Sequence, residues 1–108
     1  MAKIEKIVNE DFDQLLKKIE IGILGGNSSA SIEDASDFCD GDAKCSIRVF
    51  ERFSFVGKNR VSLNVTLFQK ADGPVHLSAI TSGGSQGMFL KINTWGEKAF
   101  LDKLTDLL

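Results

Sequence analysis

The side chains of this chain best suited to chemistry are few: one histidine, His76, and two cysteines, Cys39 and Cys45. An unperturbed histidine is the one side chain that changes charge between pH 5 and 8. Catalysis through His76 would need a nucleophile or an acid beside it. Ser78 lies two residues along on the same strand face, and Thr66 faces it from the neighbouring strand. Hydroxyls are common on polar sheet faces, so this grouping does not define an active site. A thiolate nucleophile at Cys39 needs a base, and the sequence places none beside it. The C-x5-C spacing, with His76 thirty-one residues beyond Cys45, supplies no zinc ligand set. The acidic run Glu33, Asp34, Asp37, Asp40 and Asp42 lacks the D-x-D-x-D-G pattern and closing glutamate of a calcium loop. No carboxylate pair is singled out for glycoside hydrolysis. The segment Ser82-Gly-Gly-Ser-Gln-Gly87 could offer backbone N–H groups to an anion. It lacks both the Gly-Lys-Ser/Thr ending of a nucleotide loop and G-x-G-x-x-G spacing, and reads as a flexible bend. These residues argue against an enzyme, and no metal or cofactor is expected.

The totals narrow the partners. The chain has 108 residues, 43% hydrophobic and 26% charged, enough for a single domain over 1–108 with its own core. A net charge of -2 gives no electrostatic reason for binding nucleic acid or an anionic membrane. No apolar stretch approaches the ~20 residues that span a bilayer. The opening MAKIEKIV alternates charged and apolar side chains, unlike a signal peptide, so a cytoplasmic location is expected, with thiols kept reduced.

The elements that must position these residues are legible as periodicities. Residues 3–8 suit a short strand, with Ile4 and Val8 on one side. Asn9 offers a helix N-cap, and Phe12, Leu15, Leu16, Ile19 and Ile23 follow at helical spacing before Gly25-Gly26. Residues 29–82 read as four strands, about 29–39, 43–56, 60–70 and 75–82. Alternation places Cys45, Ile47, Val49, Phe53 and Phe55 on one face of the second, and Val61, Leu63, Val65 and Leu67 on one face of the third. Val75, Leu77 and Ala79 share a face of the fourth. Asp40-Gly41, Gly57-Lys58-Asn59 and Asp72-Gly73-Pro74 mark turns. A Thr94/Glu97 capping box announces a second helix that buries Phe100, Leu101, Leu104, Leu107 and Leu108, with Trp95 packed at its start. The expected fold is α+β: an antiparallel four- to five-stranded sheet with two helices packed on one face, in the order β-α-β-β-β-β-α.

Turn chemistry then sets registers. A two-residue turn at Asp40-Gly41 pairs Cys39 with Asp42, Asp37 with Lys44 and Glu33 with Arg48, which gives the acidic run strand partners. Cys45 then points to the core and Cys39 away from it, so the two do not bond. A three-residue turn at 57–59 pairs Phe55 with Val61, Phe53 with Leu63, Arg52 with Asn64 and Phe50 with Thr66. The outer face would then carry Phe50 and Phe68, with His76 and Ile80 beside them and Arg48 and Arg52 in a polar border. Large apolar residues on an open sheet face suggest a patch that something covers, the simplest cover being a second copy of the chain. Scattered surface phenylalanines are the alternative reading.

The stretches Arg48-Val-Phe-Glu-Arg-Phe-Ser54, Asn59-Arg-Val-Ser-Leu-Asn-Val-Thr-Leu-Phe68, Leu77-Ser-Ala-Ile-Thr-Ser-Gly-Gly-Ser-Gln-Gly-Met-Phe89 and Ile92-Asn-Thr-Trp-Gly-Glu-Lys-Ala-Phe100 resemble an uncharacterised family of bacterial proteins of about this length. That resemblance implies a domain of unknown function and carries over no catalytic or binding residue. The element order is similar to that of helix-grip and TATA-binding-protein-like folds, in which a C-terminal helix lies across a curved antiparallel sheet. Many larger members hold lipids or other apolar ligands there, which implies a small-molecule groove near Phe53, Leu63, Trp95 and Phe100. Two functions follow as expectations. One is a non-enzymatic domain that forms a homodimer or binds a protein through Phe50, Phe68, His76, Ile80, Arg48 and Arg52. The other is an apolar-ligand binder using that groove.

Overall fold

A computed structural model describes residues 2–25, 30–54, 59–83 and 90–108, with the side chains of 54, 59 and 90–97 left out of the description. The elements run β1 (Lys3–Val8), α1 (Phe12–Leu24), β2 (Ser31–Asp40), β3 (Ala43–Ser54), β4 (Asn59–Lys70), β5 (Val75–Gly83) and α2 (Leu90–Thr105). The strands form one antiparallel sheet in the order β1-β5-β4-β3-β2, so β4 is central and the first strand closes beside the last. This is the expected α+β order, with both helices on one face.

The helix layer covers only part of that face. α2 packs on β5 and β4, and α1 lies against α2 and β4. Their apolar stripes, Phe12, Leu15, Ile19 and Ile23 with Phe100, Leu101 and Leu104, close over Val61, Leu63, Val65 and Leu67 of β4 and Val75, Leu77 and Ala79 of β5. Gly22 on α1 lets the Leu107 side chain lie against the helix where a Cβ would intrude. β2 projects beyond the helices, and nearly all of it is exposed.

Four local expectations are corrected. Asp11, not Asn9, caps α1: its extended backbone (φ -60°, ψ 133°) turns the carboxylate onto the Gln14 N–H at 3.0 Å. α2 is already helical from Leu90, so Thr94 does not cap it. The β2–β3 hairpin turns at Gly41-Asp42 rather than Asp40-Gly41, closing on the pair Asp40–Ala43. Gly41 takes the positive φ of 60°, which a glycine in the first central position of a II′-type turn adopts without strain. Asp37 therefore faces Ser46, Cys39 faces Lys44 and Ala35, not Glu33, faces Arg48, with an irregularity further along between Ile32 and Asp34.

The largest correction concerns β3 and β4. Their last pair is Ser54–Asn59, so Phe53 faces Arg60, Arg52 faces Val61 and Phe50 faces Leu63. A three-residue slip is odd, and an odd slip turns a whole strand over. Phe50 is consequently buried in the core at 0% exposure, while Cys45, Ile47, Val49 and Phe53 share the opposite face with Phe68. The expected Phe55–Val61 pair is excluded because Val61 faces Arg52, while the turn at Gly57-Lys58-Asn59 and the Gly-rich bend at Ser82–Gly87 lie wholly or partly outside the described residues, as does the Trp95 side chain.

Candidate functional site: the open face of the sheet

Registers place every outward side chain of the open face in rows that cross the strands. One row runs Ile7, His76, Phe68, Cys45, Phe38 through all five strands. The next is Glu5, Ser78, Thr66, Ile47, Ser36, and the third is Lys3, Ile80, Asn64, Val49, Asp34. Beyond these, Ser62 and Ser82 share a 2.7 Å hydroxyl–hydroxyl hydrogen bond beside Glu51, and Phe53 lies opposite Arg60.

Exposure confirms an apolar surface. Ile7 is 64% exposed, Phe38 56%, Phe68 43%, Ile80 41% and Phe53 40%. The rings of Phe68 and His76 sit 6.3 Å apart, tilted by 44°. Shallow hollows flank Phe68: one of about 560 Å³ over His76 towards Ile7, another of about 460 Å³ over Cys45 towards Phe38. Burial raises the Cys45 thiol above its ordinary pKa, and the charge of Asp37 adds to the rise, so Cys45 stays a protonated, unreactive thiol.

Charge is confined to the margins. Among the described residues, the first three rows carry no formal charge on β3, β4 or β5. The charges lie on the edge strands, at Lys3, Glu5 and Asp34, at the far end, where Arg60 and Glu51 pair at 2.9 Å, and at the near end, where Asp40 and Lys70 flank Ala43 beside the hollow at Phe68. Lys3 and Glu5 approach to 3.2 Å in full view of solvent, a contact of little energetic weight. An uncharged apolar centre inside a polar rim is the anatomy of a protein–protein contact.

The helix-covered side of β3 is the more polar one. Arg48 is buried there, its Nε donating to Glu20 at 2.9 Å and its Nη1 to Asp37 at 2.9 Å and to the Ile47 carbonyl at 2.9 Å. Ser46 donates to the same Asp37 carboxylate at 2.6 Å. Hydrogen bonds from Ser46 and Arg48 hold Asp37 below the usual carboxylate range. Burial opposes the Arg48 charge, but Asp37 and Glu20 outweigh it and hold the guanidinium's pKa up. Arg52 stacks on the Phe100 ring at 4.7 Å, and Lys44 lies 4.8 Å over that of Phe12. These contacts explain how arginines tolerate a covered face: each finds carboxylates or an aromatic ring.

Of the residues read from sequence as an outer patch, Phe68, His76 and Ile80 do lie together on the open face. Phe50, Arg48 and Arg52 do not; they belong to the covered side. Of the expected groove, Leu63 and Phe100 are fully buried among core side chains, whereas Phe53 is on the opposite face and cannot line it. Ile7, Phe38, Cys45, Ile47 and Val49 were missed as surface residues. For Cys45, Ile47 and Val49 the alternating apolarity was visible, but its direction depended on the register of β3. The cysteines point to opposite faces and are both free, with the assignments reversed: Cys45 outward, Cys39 on the helix side. His76 and Ser78 share the open face, with Thr66 beside Ser78. Among the described residues no group of His, Cys, Asp and Glu is arranged to hold a metal ion.

An antiparallel sheet with helices over one face and an apolar band across the other defines the class: a small α+β domain with one open sheet surface. The chain belongs to a family of unknown function (DUF6054), whose model matches residues 1–108. No curated protein and no solved structure matches it. No helix among the described residues is long and apolar enough to cross a membrane.

Proposed function

We propose that this domain acts by association rather than catalysis, and that its working surface is the open sheet face, used for binding a second copy of itself. The observation that carries the reading is the orientation of β3. That strand turns Cys45, Ile47, Val49 and Phe53, with Glu51 among them, to the open face and places Ser46, Arg48 and Arg52 beside Phe50 under the helices. A strand at an unpartnered surface is expected the other way round, polar side out. The inversion is accounted for if the open face is covered when the protein works.

Size supports the same reading. Five strands spaced by ~4.8 Å and five rows roughly 6.7 Å apart make a face of roughly 24 by 27 Å. Two such faces would bury roughly 1,300 Å² together, within the range of specific protein–protein interfaces. We also read the sheet, with α2 lying across β5 and β4, as a short helix-grip arrangement whose space beneath the C-terminal helix is filled by Leu63 and Phe100.

The test is sedimentation of the wild type and Phe38→Ser over a concentration range. A wild-type dimer that the substitution dissociates, with an unchanged circular dichroism spectrum, is the expected result. A wild type that remains monomeric at millimolar concentration would refute the proposal.

A further inference from the structure

We infer that the contact between copies is acid-sensitive: His76 lies inside it, and protonation of that ring separates the two chains. This rests on the open face being the surface of self-association, and adds its control by pH.

His76 stands on β5 in the first row of the open face, between Ile7 of β1 and Phe68 of β4. Both neighbours are exposed, so a partner that covers them also covers the ring between them. The imidazole lies 6.3 Å from the Phe68 ring, centre to centre, and a hollow of about 560 Å³ opens over it. It is the only histidine of the chain. Between about pH 5.5 and 7.5 ordinary carboxylates and lysines keep their charges, and imidazole is the side chain that changes.

The groups that face the ring offer an imidazolium no free counter-charge. On β1, Glu5 sits one row along and is engaged by Lys3 at 3.2 Å, while Lys6 lines the same hollow as His76. On β4, Lys70 lies two positions beyond Phe68, at the near end. On β5 the next residue of the open face is Ser78. Beyond Phe68 lies Cys45, whose thiol stays neutral through burial and the charge of Asp37. Asp40 is three strands away on β2, and Asp72, in the turn before β5, lines a hollow with Asp11 and Gln69 on the helix side. Three lysines thus surround the ring against one glutamate.

On an open face, water solvates both forms of the ring. A second copy brings the same surface, uncharged on β3, β4 and β5 over these three rows, and removes that water. Desolvation costs the charged form far more than the neutral one. Association therefore proceeds with release of a proton to solvent from each protonated His76, and weakens as the pH falls.

Sedimentation equilibrium of the wild type and His76→Gln at pH 7.5 and 5.5, at one ionic strength, reads this linkage. Each excluded proton is worth up to tenfold per pH unit, so the wild-type dissociation constant should rise roughly ten- to a hundredfold in acid. His76→Gln, neutral throughout, should dimerise equally at both pH values. The ring signals of the single histidine, followed by NMR, give a second reading: they should titrate at lower pH in concentrated protein than in dilute. A wild-type dimer as strong or stronger at pH 5.5, the same pH dependence in His76→Gln, or one NMR titration at both concentrations would overturn the acid sensitivity and leave self-association standing. A wild type that is monomeric at millimolar concentration at both pH values would overturn both.

Discussion

The two faces of this sheet have similar apolar content and opposite fates. The covered face gathers Phe50, Val61, Leu63, Val65, Leu67, Val75, Leu77 and Ala79 under two helices, and it accepts Arg48 and Arg52 by giving them carboxylates and a ring. The open face displays Ile7, Phe38, Phe68, Ile80 and Phe53 to solvent and excludes charge from its centre. Burial alone therefore does not follow hydrophobicity along β3. What separates the faces is whether the chain itself supplies the cover.

The largest effect that could break this comparison is a pair of truncations on the two faces. Phe50→Ala should cost about 3–5 kcal/mol in urea unfolding, the range for a fully buried ring. Phe68→Ala, measured at concentrations where the chain is monomeric, should cost less than about 1 kcal/mol. Equal losses would mean that the open face is part of the folding core. Phe50, expected on the outer face, lies in the core instead.

Next in size is the buried charge. Arg48→Ala removes the partner of Glu20 and Asp37 from beneath α1 and should cost about 2 kcal/mol, below the full value for a buried pair because both carboxylates keep some solvent. Arg48→Lys should recover only part of this, since an ammonium cannot serve both carboxylates with a planar fork. A neutral result for Arg48→Ala would show that the polar side of β3 needs no cover.

The smallest effect sharpens the same point through pH. The folded-state pKa of Asp37 is depressed by Ser46 and Arg48, so its contribution is complete above the ordinary carboxylate pKa of about 4. It is lost as pH falls through the depressed folded value. The stability difference between wild type and Asp37→Asn should thus be flat near neutrality and shrink below about pH 4. A difference that persists unchanged at pH 2 would contradict the assigned bonds.

Sequence periodicity recovered all seven elements and the buried face of β4, because alternation over twelve residues with an unambiguous polar side leaves one choice. It failed on β3, where one side holds Cys45, Ile47, Val49 and Phe53 and the other Phe50 with two arginines. On hydrophobicity the first side is the core. The structure chooses the second, since Glu20 from α1, Asp37 from β2 and Phe100 from α2 arrive to neutralise or stack on those arginines. Such long-range partners leave no periodic mark. The N-cap failed for a smaller reason: Asn9 and Asp11 are both good caps, and two residues of strand end decide between them.

The central claim is that the open face is a contact surface between copies, and light scattering across a concentration series tests it most directly. The account predicts a mass moving from one chain to two, and a Phe68→Ser variant that stays at one with its fold intact. A wild type that holds a single-chain mass throughout would contradict it.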